Sequence, residues 1–141
     1  MHHAHAMAQS HRWIEHTSEL QLELHALSEV GVFAQAIHAL RELLCGDEEP
    51  SGERMERTVE AEATDRPALL AEWLAELVFL AETEGLVPLT VRDLVVGEDT
   101  VSGVVGGRRG DPPHLVKAVT YHDLELRRDR RGWRGNVVLD V

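Results

Sequence analysis

DRPALLAEWLAELVFLAETEG, residues 65–85, is the stretch whose reading decides the fold. Asp65 offers a side-chain oxygen to the first amides of a helix, Pro67 sits in the first turn, and Gly85 supplies a stop. Between them Leu69, Leu70, Trp73, Leu74, Leu77, Val78 and Ala81 form one wide apolar stripe at helical spacing. A helix of about four turns or more, packed against a sheet, follows. Glu72 and Glu76 break its apolar run, so it does not read as a membrane span.

Upstream, ELQLELHAL from Glu19 alternates with Leu20, Leu22 and Leu24 on one face, the period of a strand. Ser28 is an N-cap, and Phe33, Ala36, Ile37, Leu40, Leu43 and Leu44 recur at helical spacing until Gly46, which predicts a first helix over residues 29–45. DEEPSGER reads as a loop and RMERTVEAEAT as a second strand. Downstream the chain is strand-rich: LTVRDLVVG, TVSGVVG, a loop GGRRGDPPH, KAVTYHDLELR, and WRGNVVLDV. RRDRRG, between the last two, is short and polar and predicts an antiparallel hairpin. The order βαβαββββ favours an α+β domain, a two-layer sandwich with two helices on a mixed, largely antiparallel sheet.

KAVTYHDLEL, residues 117–126, is too polar for an ordinary half-buried strand. Strict alternation puts Ala118, Thr120, His122, Leu124 and Leu126 on one face, so a hydroxyl and an imidazole interrupt the apolar side at its middle.

At 141 residues and 43% hydrophobic, the chain suits one domain. The histidine-rich start, residues 1–11, reads as a disordered leader or tag remnant, leaving 12–141 as the domain. With no signal-peptide core and one cysteine, Cys45, which cannot pair internally, the sequence points to a cytoplasmic protein with no membrane contact. Cys45 reads as helix-end packing. The net charge of −11 argues against broad nucleic-acid binding. That charge is uneven: residues 1–100 hold six Lys and Arg against twenty Asp and Glu, whereas the last 41 hold eight against five. Any phosphate contact is expected in the C-terminal third.

Four blocks in order now give the chain a resemblance to the archease family: EHTSEL (15–20), the helix running into LVFLAETEGLVP (77–88), KAVTYHDLEL (117–126) and the terminal VVLDV. It spans nearly everything from Trp13 onward. The resemblance implies an archease-like domain and a non-enzymatic accessory role. Archeases activate the RtcB-type RNA ligase of tRNA splicing and RNA repair, promoting its guanylylation and multiple turnover, and meet RNA only indirectly through that ligase.

It also implies a divalent-cation site carried by Glu19, Asp140 and the carbonyl or terminal carboxylate of Val141, with Asp47 as a further acidic candidate. Oxygen donors of this kind suit calcium, magnesium or manganese. Glu19 stands where the family carries Asp, one methylene shorter, and calcium tolerates that change best. Around this site Lys117 reads either as a mobile charge for a phosphate or partner carboxylate, or as a lysine balancing nearby acids. Thr120 belongs to the same polar face, and His122 and His16 read either as site residues or as structural histidines. RRDRRGWR, residues 127–134, reads either as a solvated turn or as a nucleic-acid contact with an aromatic among arginines. Two other functions fit the residues: a metal-dependent phosphoesterase, against which the chain offers no P-loop or nucleophile elbow, and a general chaperone or adaptor.

Overall fold

The computed structural model describes residues 9–141. Its elements are β1 (Gln9–His16), β2 (Glu19–Ala26), α1 (Glu29–Cys45), β3 (Arg54–Glu62), α2 (Arg66–Glu84), β4 (Leu86–Val96), β5 (Thr100–Arg109), β6 (Ala118–Asp129) and β7 (Gly132–Asp140). The strands form a four-stranded sheet in the order β1-β2-β7-β6 and a three-stranded sheet in the order β3-β5-β4. Every strand pair is antiparallel. The α+β class with two helices on antiparallel sheets is therefore as the sequence predicts, with no parallel pair among the described residues.

Both helices start and stop where their caps dictate. Ser28 accepts from the Gly31 amide and Asp65 from the Ala68 amide, each satisfying one orphan donor of its first turn. Gly85 ends α2 in the left-handed region at φ 70°, its amide returning to the Ala81 and Leu80 carbonyls. The apolar stripe of α2 is buried as its spacing requires, and Trp73 lies at its centre, fully inaccessible. Its Nε1–H donates to the Phe33 carbonyl at 3.1 Å, and its ring meets Phe33 edge-on with centroids 6.5 Å apart. α1 packs against β1, β2 and β4, while α2 packs against β3 and β6, so both sheets and both helices share one core. Each large aliphatic side chain buried there is worth about 1.5–3 kcal/mol of apolar transfer.

Four expectations need correction. Residues 9–11 belong to β1 rather than to a leader, and residues 1–8 lie outside the described residues. β1 adds a strand ahead of the order βαβαββββ; its alternation is weak, and antiparallel pairing with β2 supplies the order that its composition lacks. The strands divide between two sheets instead of one. β5 runs on through Gly106 to Arg109, because Gly107 lets the β4 backbone come close: a Cβ there would stand 2.0 Å from the Val87 carbonyl oxygen.

The alternation expected for KAVTYHDLEL also fails, and the reason is a bulge. Thr120 pairs with Val138 and Glu125 with Asn136, so four residues of β6 oppose one of β7. Asp123 takes φ 51°, a left-handed conformation that Asp tolerates. Tyr121, His122 and Asp123 are thereby lifted into solvent instead of interrupting the apolar face.

Candidate functional site

The four-stranded sheet has one face against the core and one face outward. Along β2, Leu22, Leu24 and Ala26 are buried, while Gln21, Glu23 and His25 between them are partly exposed. Strand register then arranges the outward residues in rows across the sheet. His16, Glu19, Asp140 and Ala118 make the row at one end, and Ser10, His25, Arg134 and Arg127 the row at the other. Six residue steps along β2 take Glu19 to His25, about 20 Å at strand rise.

The first row is the candidate site. Glu19 and Asp140 are direct cross-strand partners and both are partly buried. The main chain fixes this end of the sheet. Lys117 N–H donates to the Asp140 carbonyl at 2.8 Å, and Val141 N–H donates to the carbonyl of Ser18 at 3.1 Å. Ser18 itself takes φ 62° in the β1–β2 turn, which brings β2 back beside β1. Among the described residues neither Glu19 nor Asp140 has an ion-pair partner. Two carboxylates directly opposite one another repel, so this pair favours a cation between them.

Among the described residues no group of three or more His, Cys, Asp or Glu side chains is arranged to hold a metal. What the sheet end offers is two side-chain carboxylates, Glu19 and Asp140, on paired strands beside the chain end at Val141, oxygen donors of the kind a hard divalent ion takes. Asp47 lies exposed in the turn after Gly46, the cap of α1, and does not complete a three-carboxylate cluster.

The other expected site residues divide between the two ends. His16 is beside Glu19 in the same row, and its Nε2 lies 3.1 Å from Gln21 Oε1. Lys117 reaches the site by its backbone, and its side chain is exposed. Thr120 is occupied locally: its hydroxyl donates to the Val138 carbonyl and accepts from the His122 amide, stapling the bulge. His122 stands on the bulge with Nε2 3.1 Å from Asp123 Oδ2, opposite the middle of β7 and away from the Asp140 row.

Sequence reasoning passed over Gln21 and Asn136, which link the strands across the middle of this face. Gln21 Nε2–H donates to Asn136 Oδ1 at 2.7 Å, and Asn136 Nδ2–H to the Asp123 carbonyl at 2.9 Å, so a polar chain from His16 to Asp123 crosses all four strands. Their only sequence signal is a place on the polar side of two alternating strands. The bulge is also tied to α2, since the Tyr121 hydroxyl donates to Glu72 at 2.5 Å and this bond pushes the phenol pKa up to about 12. Cys45 matches its packing role: burial pushes its thiol pKa up, and the thiol donates to the Arg41 carbonyl.

No helix among the described residues is long and apolar enough to cross a membrane. The family profile described as Archease protein family (MTH1598/TM1083) matches residues 11–141. Relatives named Protein archease include one from Methanosarcina mazei, 29% identical with 96% of this chain and 99% of that one covered. Another, from Methanopyrus kandleri, is 32% identical with 91% and 96% covered. The solution structure of Methanobacterium thermoautotrophicum protein 1598 is similar at a TM-score of 0.66 and 25% identity, covering 93% of this chain and 98% of that one. A crystal structure from Thermotoga maritima, named as an archease and possible chaperone, shares the fold at a TM-score of 0.60 and 19% identity, covering 91% and 94%. The chain belongs to the archease family.

Proposed function

We propose that this protein is a non-enzymatic activator of an RtcB-type RNA ligase, acting in the cytoplasm in tRNA splicing and RNA repair, and that the Glu19–Asp140 end of the sheet is its working part. The observation that supports this reading is the direct cross-strand pairing of two partly buried acidic residues that have no ion-pair partner among the described residues. Such a pair is suited to hold a divalent cation, calcium first by the longer reach of Glu19, with magnesium or manganese as alternatives. A bound ion would supply a concentrated positive charge next to phosphate oxygens. The chain's own residues do the rest: Glu19 and Asp140 fix the position of the charge, His16 and Gln21 buttress the row, and the exposed Lys117 meets an anionic group of the partner.

The test is multiple-turnover joining by the ligase from the same cell, with limiting enzyme, GTP and divalent metal, with and without this protein. Conversion of a stalled single turnover into many supports the reading; no effect on a competent ligase rejects it. Phosphoester turnover by the isolated protein would favour a metal-dependent phosphoesterase instead. The Thermotoga maritima archease is named a possible chaperone, and a chaperone is the second reading for this chain. That reading predicts binding to many unfolded clients and indifference to the carboxylates.

A further inference from the structure

The end of the outward sheet face opposite the acidic pair has the reverse charge. His25, Arg134 and Arg127 stand in one row on β2, β7 and β6, with Arg127 directly opposite Arg134. Like charges in that position repel, and each arginine has only a loose acidic neighbour: Glu125 at 3.5 Å from Arg127, and Glu23 at 4.0 Å from Arg134. Glu23 is already engaged by Arg12 at 2.6 Å. Arg128, Arg130 and Arg131 at the hairpin tip have no ion-pair partner among the described residues. In a chain of net charge −11, this end therefore gathers the arginines of 127–134 and Arg12 against Glu23, Glu125 and Asp129.

Arg12, His25, Arg131 and Arg134, with the acids Glu23 and Asp129, line an open groove of about 950 Å³, and Arg127 flanks it as the cross-strand partner of Arg134. His25 Nε2 is covered in that wall and has no hydrogen-bond partner among the described residues. From His25 to Arg127 the row crosses two strand spacings, about 10 Å. The two guanidinium groups of that row, Arg134 and Arg127, with Arg131 at the hairpin tip beyond them, are spread wider than one small anion can satisfy, and arginine forks match phosphate oxygens in pairs. An acidic peptide in extended form turns alternate side chains away from a sheet, whereas a nucleic-acid strand presents a phosphate at every residue.

We propose that the groove between the β1–β2 pair and the β6–β7 hairpin tip binds the phosphate backbone of a single nucleic-acid strand, with Arg127, Arg131 and Arg134 as the contacting cations. The site lies about 20 Å from Glu19 along β2. It does not rest on the ligase reading, because the isolated protein makes the contact.

The test is fluorescence anisotropy of an end-labelled, unstructured single-stranded RNA of about a dozen nucleotides, titrated with the full chain over a series of salt concentrations. Three phosphate contacts predict a log–log salt slope of roughly −2. The double variant Arg127→Ser/Arg134→Ser is expected to weaken binding at least tenfold and flatten the slope, and Arg131→Ser to do so to a smaller degree. Unchanged melting temperatures establish that the variants are folded. Glu19→Ala is expected to bind RNA as wild type does, so loss of ligase activation by that variant and loss of RNA binding are read separately. Absence of binding at low salt, or binding that ignores both arginine variants, overturns the proposal. So does displacement of the RNA by GTP or inorganic phosphate at concentrations comparable to the RNA, which marks a mononucleotide or phosphate site. Equal affinity for a glutamate oligomer of the same length overturns it in favour of an acidic protein segment.

Discussion

Glu19 and Asp140, near opposite ends of the sequence, face one another directly across β2 and β7, and Ala118 completes the neighbourhood of Asp140 on β6. Three chain segments thus meet at one sheet end. Like charges directly opposite on paired strands are unfavourable, and on the proposed reading a divalent ion held between them would relieve that.

Calcium is therefore expected to raise the melting temperature of the wild-type protein. At a hundredfold excess over Kd the stabilisation is about 2.7 kcal/mol, which means several degrees for a domain of this size. Glu19→Ala and Asp140→Ala each abolish that response. Calorimetric melts with and without calcium read it, and a calcium shift that survives in both variants places the ion elsewhere.

Trp73 is the anchor of the core. Replacing it by Ala removes a fully buried indole, its edge contact with Phe33 and the partner of the Phe33 carbonyl. The expected loss is about 3–5 kcal/mol, measured by urea unfolding. Trp73→Phe keeps most of the apolar volume and removes only the indole N–H bond to a carbonyl inside α1, so its loss is expected to be smaller.

Tyr121 sets a stability change in alkali. Its phenol pKa is raised to about 12 in the folded chain by the bond to Glu72, against an ordinary value of about 10. A raised folded pKa contributes stability that is fully present below pH 10 and is lost as the pH climbs towards 12. Tyr121 is the sole tyrosine, so phenolate absorbance follows it alone. The titration midpoint is expected to fall towards 10 in Glu72→Gln, and stability in Tyr121→Phe to lack this pH-dependent component.

Arg66 clamps three elements together. Its guanidinium donates to both Glu29 oxygens at the start of α1 and to the Gly97 and Glu98 carbonyls in the β4–β5 turn. Arg66→Lys cannot reproduce that fork, so both Arg66→Lys and Arg66→Ala are expected to lose stability, on the order of 1–3 kcal/mol for Ala. Chemical denaturation measures this, and hydrogen exchange should show the β4–β5 turn opening first.

What could be read from the sequence divides along physical lines. The ends of α1 and α2 were legible because Ser28, Gly46, Asp65 and Gly85 act on backbone groups within one turn. The hairpin at Arg130 and Arg131 was legible for the same local reason. β1 was not, since SHRWIEH has little alternation and gains its order from β2. The split into two sheets depends on pairings such as Glu19 with Asp140 and Val59 with Gly103, which no local pattern encodes. Of the site, the cross-strand pairing of Glu19 with Asp140 is a long-range register that no local pattern encodes, and only the family resemblance drew those two residues together beforehand. Thr120 and His122, which strict alternation placed on the core-side face, are displaced from it by a bulge whose one sequence signal is the unusual polarity of TYHD.

The most direct test of the central claim compares wild type, Glu19→Ala and Asp140→Ala in multiple-turnover joining of a 3′-phosphate RNA to a 5′-hydroxyl RNA, alongside a pull-down of the ligase. The predicted result is that both variants still bind the ligase while their stimulation of turnover is lost. Normal stimulation by both variants would contradict a working role for the acidic pair.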